Sequence, residues 1–201
     1  MAATVLFMSM SLDGFIAGPN EGPDNGLGDG GERLHDWVFP GLEGGDFEGA
    51  VQRLSGVNRQ VYDDFMSTGA VLAGRGTFEP ARGWGGDHHD GVPLYVLSRH
   101  PAPGWAAAWP NVHYVDDLAL AVREAKAAAG DRDVLVHGAG ITRRAVAAGL
   151  LDELSIHLVP ILMGEGRRLF EGIGADQRRL ERIGVLQGED GVTHLRYRVL
   201  R

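Results

Sequence analysis

The sequence predicts a single α/β domain: a mixed, mostly parallel sheet flanked by helices, with an antiparallel hairpin at its C-terminal end. Three observations predict it. Short apolar, β-prone runs alternate with helical stretches through the middle of the chain, the pattern of parallel strands joined by helical crossovers. Two final runs, near 179–187 and 192–200, flank "GEDG", a hairpin signal. The 201 residues are 44% hydrophobic, enough for one sizeable core. No repeat or low-complexity linker divides them, so residues 1–201 are read as one domain.

The elements follow in order. "TVLFMSMSL" (4–12) reads as a buried strand ended by Asp13-Gly14. Residues 17–46 form a Gly-, Asp- and Pro-rich loop, long for a connection and therefore functional or mobile. Val57, Val61, Phe65 and Met66 give a helical stripe over 56–67. "AVLA" (70–73) is a second strand, with a short helix after Gly76 that stops near Pro80. "GWGGDHHDG" (83–91) is a loop; "PLYVLS" (93–98) and "VHYV" (112–115) are strands. A helix spans 116–129, with Asp at its start and Gly130 beyond its end. "DVLVHG" (133–138) is a strand, 141–151 a helix and "ELSIHLVPIL" (153–162) a strand.

Composition removes several function classes. With no cysteine, disulfides, thiolate zinc sites and a cysteine nucleophile are excluded. A net charge of -8 argues against a general nucleic-acid or membrane-surface binder but leaves room for a small anion. No leader pattern and no run near the roughly 20 apolar residues of a membrane span is visible, so a cytoplasmic protein is expected. The 31 glycines suggest tight turns and ligand sites lined by backbone.

Glycine and small polar residues follow three of the strands: Gly74-Arg75-Gly76-Thr77, Ser98-Arg99, and Gly138-Ala139-Gly140-Ile141-Thr142. In a parallel sheet such strand ends share one edge, where ligands bind. Glycine admits close backbone approach, helix-start amides point at an anion, and guanidiniums suit phosphate oxygens. No one of these turns is specific, and "HGAGITR" is not the GxGxxG fingerprint. Together they indicate a phosphate-binding rim for a ligand of nucleotide size.

"MSLDGFIAG" (10–18), "VLAGRGTFE" (71–79), "PLYVLSRHP" (93–101), "DVLVHGAG" (133–140) and "GLLDELSIHLVPILMGEGRRLFE" (149–171) carry a resemblance across nearly the whole chain. The sequence resembles the dihydrofolate reductase-like superfamily. Within it, it is similar to the reductase domain at the C-terminus of bifunctional riboflavin-biosynthesis enzymes and to the stand-alone relatives of that domain. The resemblance implies an NADPH-dependent reductase of a small heterocycle, aminopyrimidine or pterin-like, and a homodimer. It implies that Gly74, Arg75 and Thr77 take cofactor phosphates, and that Ser98 and Arg99 sit at the adenosine 2′-phosphate. Gly138, Ala139, Gly140 and Thr142 would meet the pyrophosphate, and Ala17 would line the nicotinamide side with Asp13 and Gly14.

Asp13 is the first candidate for a substrate contact or proton relay, against a plain turn-forming role. Asp36 and His35 are weaker candidates. Trp37 either stacks on a flat ring or docks its loop on the core. True dihydrofolate reductases carry a carboxylate on the helix before the GRGT-type loop; an ungapped count puts Asn58 there, which speaks against folate reduction. The bifunctional enzymes' zinc deaminase domain has no counterpart here, and no metal site is assigned to "DHHD" (87–90). Arg143-Arg144 either offset a phosphate or face solvent, and Arg167-Arg168 are either structural or an oligomer contact. The alternatives to an NADPH-dependent heterocycle reductase are a non-catalytic nucleotide- or flavin-binding protein and a flavin reductase.

Overall fold

Strand β1 (Thr4–Ser11) is apolar at five of its eight positions and buried along most of its length, because it lies in the middle of the sheet with both faces covered. The computed structural model describes residues 2–40, 46–174 and 177–201; residues 41–45 of the expected 17–46 loop lie outside them. After β1 come β2 (Phe15–Ala17), α1 (Phe47–Arg53), α2 (Gly56–Met66), β3 (Ala70–Gly74), α3 (Arg75–Phe78), β4 (Leu94–Leu97) and β5 (Val112–Val115). Then follow α4 (Leu118–Ala129), β6 (Val134–His137), α5 (Ala139–Ala147), β7 (Glu153–Val159), β8 (Arg167–Arg168), β9 (Leu180–Gln187) and β10 (Thr193–Val199).

Eight strands form one sheet in the order β5-β4-β3-β6-β1-β7-β10-β9. Pairings from β5 to β7 are parallel; β10 runs antiparallel to β7 and β9. β2 and β8 make a separate antiparallel pair. This is the expected mixed sheet with its C-terminal hairpin.

Period-two alternation sends Leu6, Met8, Leu72, Val134 and Val136 to the face covered by α4 and α5. On the opposite face, Trp37, Val61, Val159 and Val192 pack with Phe7, which joins this cluster to that of Val71, Leu94, Val96 and Leu135. Helix α4 opens at Asp117, whose side chain accepts from Leu120 N at 2.7 Å, and closes at Gly130 with φ 65°. Helix α2 is capped from a distance: the Glu189 carboxylate on the β9–β10 turn accepts from Val57 N and Asn58 N at 3.2 and 2.9 Å. Those bonds, Asn58 N first, hold the Glu189 pKa below its usual value.

Several boundaries shift. β1 stops at Ser11, where the chain turns toward solvent and Leu12 is exposed. β7 stops at Val159 because Pro160 lacks the amide for a further ladder bond. The helix expected at 141–151 runs from 139 to 147, and the one expected after Gly76 starts at Arg75. Strands β2 and β8 and helix α1 were not foreseen.

Candidate functional site

Three strand ends stand level along one edge. Gly74 pairs with Leu97 and Ala73 with His137, so the turns after β4, β3 and β6 lie side by side in that order. Fully buried Phe78, stacked on Trp105 at 5.6 Å, anchors α3 and fixes the Gly74–Thr77 turn. Gly138 adopts φ 106°, a value side chains disfavour. A Cβ there would collide with Thr77 Oγ1, so the β3 and β6 turns touch only because this position is glycine. No side chain caps the start of α5, while a Cβ on Gly140 would meet open space.

At this edge lies a cleft of about 240 Å³, lined by Gly74, Gly76, Thr77, Gly140, Arg143, Arg167, Arg168 and Glu171. Three guanidiniums face one carboxylate there, in a chain whose net charge is -8. Each arginine is braced. Arg143 donates to Glu171 O at 2.9 Å. Arg167 donates to Gly76 O at 3.0 Å and pairs with Glu21 at 2.7 Å. Arg168 donates to Asp13 O at 2.9 Å and lies 4.3 Å over the Phe15 ring. The β2–β8 pairing sets Ala17 against Arg167, which carries buried Ala17 to the rim. Local sequence could not reveal this pairing, although the Arg-Arg pairs were visible.

The other candidates are placed differently. Arg75 turns to Glu79, at 3.9 Å. Ser98 and Arg99 lie one strand farther out; the Ser98 hydroxyl accepts from His100 N at 3.0 Å, and Arg99 is exposed. Ala139 is buried. Thr142 is a correction: its side chain is fully buried and donates to Gly138 O at 2.7 Å, so it braces the turn from within instead of lining the cleft.

Asp13 also changes role. Its carboxylate accepts from Ser11 Oγ at 2.6 Å, Gly164 N at 2.7 Å and Met163 N at 3.1 Å. These bonds, Ser11 first, lower its pKa to about 2. It is an anion at neutral pH and ties the 163–164 turn to the end of β1. Gly14, beside it, takes φ 90° in the same turn. Asp36 is exposed at its tip, and partial desolvation by its neighbours raises its pKa; it is not among the residues lining the cleft.

Trp37 is core. It is 3% exposed, donates from Nε1 to Ser9 Oγ at 2.8 Å, and packs against His157 and His194 at 4.6 and 4.8 Å. That leaves its ring no free face for a ligand. Asn58 donates to Trp37 O at 3.1 Å, and its Oδ1 lies 3.0 Å from His194 Nε2. Among the described residues, no group of three or more metal-ligating side chains is placed to hold an ion.

The RibD C-terminal domain profile matches residues 3–194. The chain belongs to this family. Among curated proteins nothing matches significantly. Solved structures similar to this RibD C-terminal domain include a protein named for riboflavin biosynthesis from Shewanella sp. PV-4. It has TM-score 0.72 and 20% identity, with 99% of each chain covered. A pyrimidine reductase-like protein from Corynebacterium diphtheriae has TM-score 0.60 and 13% identity, covering 100% of this chain and 92% of that one. Acinetobacter baumannii RibD has TM-score 0.60 and 15% identity; all of this chain aligns, spanning 59% of RibD. At these identities the likeness establishes the fold.

Proposed function

We propose that the protein is a cytoplasmic NADPH-dependent reductase acting on a small heterocycle of the aminopyrimidine or pterin type. The observation that carries this reading is the arginine-lined cleft at the uncapped start of α5. Open backbone at Gly74 and Gly140, the Thr77 hydroxyl and the guanidiniums of Arg143, Arg167 and Arg168 fit a pyrophosphate. Exposed Arg99, with Ser98, would hold the adenosine 2′-phosphate, and Ala17 would border the nicotinamide. A bound reduced nicotinamide supplies the hydride; the chain binds, orients and shields it.

Titration of the protein's tryptophan emission with NADPH tests this. NADPH is expected to quench emission and raise the Tm, with NADH clearly weaker. Arg143→Ala should weaken NADPH binding about 10- to 100-fold, the loss of one charge-assisted hydrogen bond. Arg99→Ala should narrow the NADPH–NADH gap. NADPH and NADH binding equally would remove the role given to Arg99; no binding of either would remove the reading.

A second reading is favoured by the side chains themselves. Asp13 is held ionised, and Asn58 occupies the position that an ungapped count gives to the carboxylate of dihydrofolate reductases. A nucleotide- or flavin-binding protein without turnover would bind NADPH yet consume none with any aminouracil or pterin. No described helix is long and apolar enough to cross a membrane.

The homodimer enters here as well. β9 is an edge strand exposed at seven of its eight positions, with Leu180, Ile183, Val185 and Leu186 uncovered. Such an edge invites pairing with a second copy. Sedimentation is expected to show a dimer that Val185→Asp converts to monomer; a monomeric parent protein would end this reading.

A further inference from the structure

Residues 18–29 close into a loop of their own beside the cleft. Gly18 N donates to Leu27 O and Asp29 N to Pro19 O, each at 2.8 Å. A Cβ on Gly18 would strike the Asp29 backbone, so the two ends of the loop meet only because this position is glycine. Side chains knit the interior. The Asp29 carboxylate accepts from Asn20 Nδ2 and Asn25 Nδ2, each at 2.7 Å, and Gly22 and Asn25 exchange backbone bonds at 3.0 Å. A loop packed by its own side chains behaves as one unit.

Little holds that unit to the rest of the protein. Its large apolar side chain, Leu27, is 37% exposed, and Gly26 abuts the Pro80 carbonyl. Arg82 donates to Pro23 O at 2.9 Å and to Asp24 Oδ1 at 2.7 Å, but both members of that ion pair are exposed, and exposed pairs contribute little. The buried attachment is Glu21. Its side chain is 11% exposed, and its Oε2 lies 2.7 Å from Arg167 Nε. The pair is close but misaligned: Oε2 is buried without a hydrogen bond from any described residue. Burial raises the Glu21 pKa against the pull of Arg167, so its ionised form is already disfavoured there. Arg167 is also one of the three guanidiniums of the cleft, where it donates to Gly76 O at 3.0 Å.

We propose that Glu21 is an internal competitor for the cleft: its carboxylate and a ligand's phosphate oxygens contend for the Arg167 guanidinium, and the phosphate that wins undocks the 18–29 loop. The proposal rests on reading the cleft as a phosphate site and adds its regulation. A phosphate at Arg167 makes aligned, charge-assisted hydrogen bonds where Glu21 makes none. It also sets a second anion beside a carboxylate already deprived of water, and like charges so placed disfavour each other. The loop is the side that yields. Arg167 is pinned by Gly76 O and by the β2–β8 pairing, whereas the loop without Glu21 keeps an exposed ion pair and a glycine contact. Linkage makes the effect reciprocal: the factor by which Glu21 weakens anion binding is the factor by which the anion weakens loop docking.

A fluorophore on the loop and inorganic pyrophosphate as the probe test this. The chain has no cysteine, and a Cβ at Gly22 meets open space, so Gly22→Cys accepts a single label of the kind that tryptophan quenches. The loop tip is bonded to Arg82, two residues before Trp84. Pyrophosphate should raise the label's emission as the loop leaves Trp84. Glu21→Gln in the labelled protein should raise emission without pyrophosphate and bind it about tenfold more tightly by calorimetry. Glu171→Gln, which removes the carboxylate lining the cleft, should tighten binding and leave the emission before pyrophosphate unchanged. Tighter binding in Glu21→Gln with an unmoved label makes Glu21 a bystander charge and overturns the proposal. Unchanged or weaker binding in folded Glu21→Gln protein overturns it too, because Glu21 is then a brace that positions Arg167. So does a label unmoved by saturating pyrophosphate in the parent protein, whatever the variant does. Pyrophosphate binding to neither protein removes the proposal together with the phosphate site. If pyrophosphate behaves as expected while NADPH does not bind, the competition stands and the reductase reading falls.

Discussion

Replacing Gly138 by alanine is expected to lower NADPH affinity at least 100-fold. The position sits at φ 106°, and a Cβ would strike Thr77 Oγ1. Thr77 is fixed because Phe78, next in sequence, is fully buried. The new methyl therefore pushes the β3 and β6 turns apart, where the proposed pyrophosphate lies. Strain of this kind is worth roughly 2 kcal/mol, which lowers Tm by about 4–8 °C in a chain of this size. Gly149→Ala is the control: φ there is 65°, yet nothing stands within 4 Å of its Cβ. It should lower Tm comparably and leave NADPH affinity intact. In the Gly138→Ala background, Thr77→Ala should recover part of the stability by removing the struck oxygen. Unchanged NADPH binding in Gly138→Ala would mean that the two turns do not share a ligand.

Stability should fall steeply between pH 6.5 and 4. Burial lowers the pKa of His137 and of His194 to about 4, and His157 is held well below its usual value by burial and then by His194 beside it. Below pH 6.5 the unfolded chain therefore binds protons that the folded chain refuses. Stability is complete above 6.5 and is lost as pH falls toward the folded values. At roughly 1.4 kcal/mol per pH unit for each ring, discounted for residual solvent, the total is several kcal/mol. Tm should then drop by about 10 °C between pH 7 and pH 4.5. His194→Gln, which can still meet Asn58, should flatten the curve by about one proton. A Tm independent of pH over this window would show that these rings titrate normally in the fold.

His157 shows why part of this was illegible in sequence. "SIHLV" reads as strand whichever way its histidine faces. Only the pairing of His157 with His194 across β7 and β10 brings their Nδ1 atoms to 2.8 Å and closes the ring cluster around Trp37. Likewise Arg143 and Arg168 are 25 positions apart and were visible only as charges near turns. The folding back of β8 onto β2 put Arg168 into the cleft. Asp13 carried the right residue type for chemistry, but two of the three hydrogen bonds that engage it come from residues 150 and 151 positions away.

Sequence alone determined the α/β class, the succession of the eight main-sheet strands and the rim of turns after β3, β4 and β6, glycine-lined after β3 and β6. Those features come from local periodicity and from backbone freedom that glycine alone provides. Tertiary structure decided which side chains face that rim. It sent Trp37 and Thr142 inward, engaged Asp13 in a turn, brought three arginines to the cleft and left three buried imidazole nitrogens, on His35, His137 and His157, unpartnered among the described residues. The reason is physical: a side chain's direction, solvation and charge are set by neighbours distant in sequence, and local pattern holds no record of them.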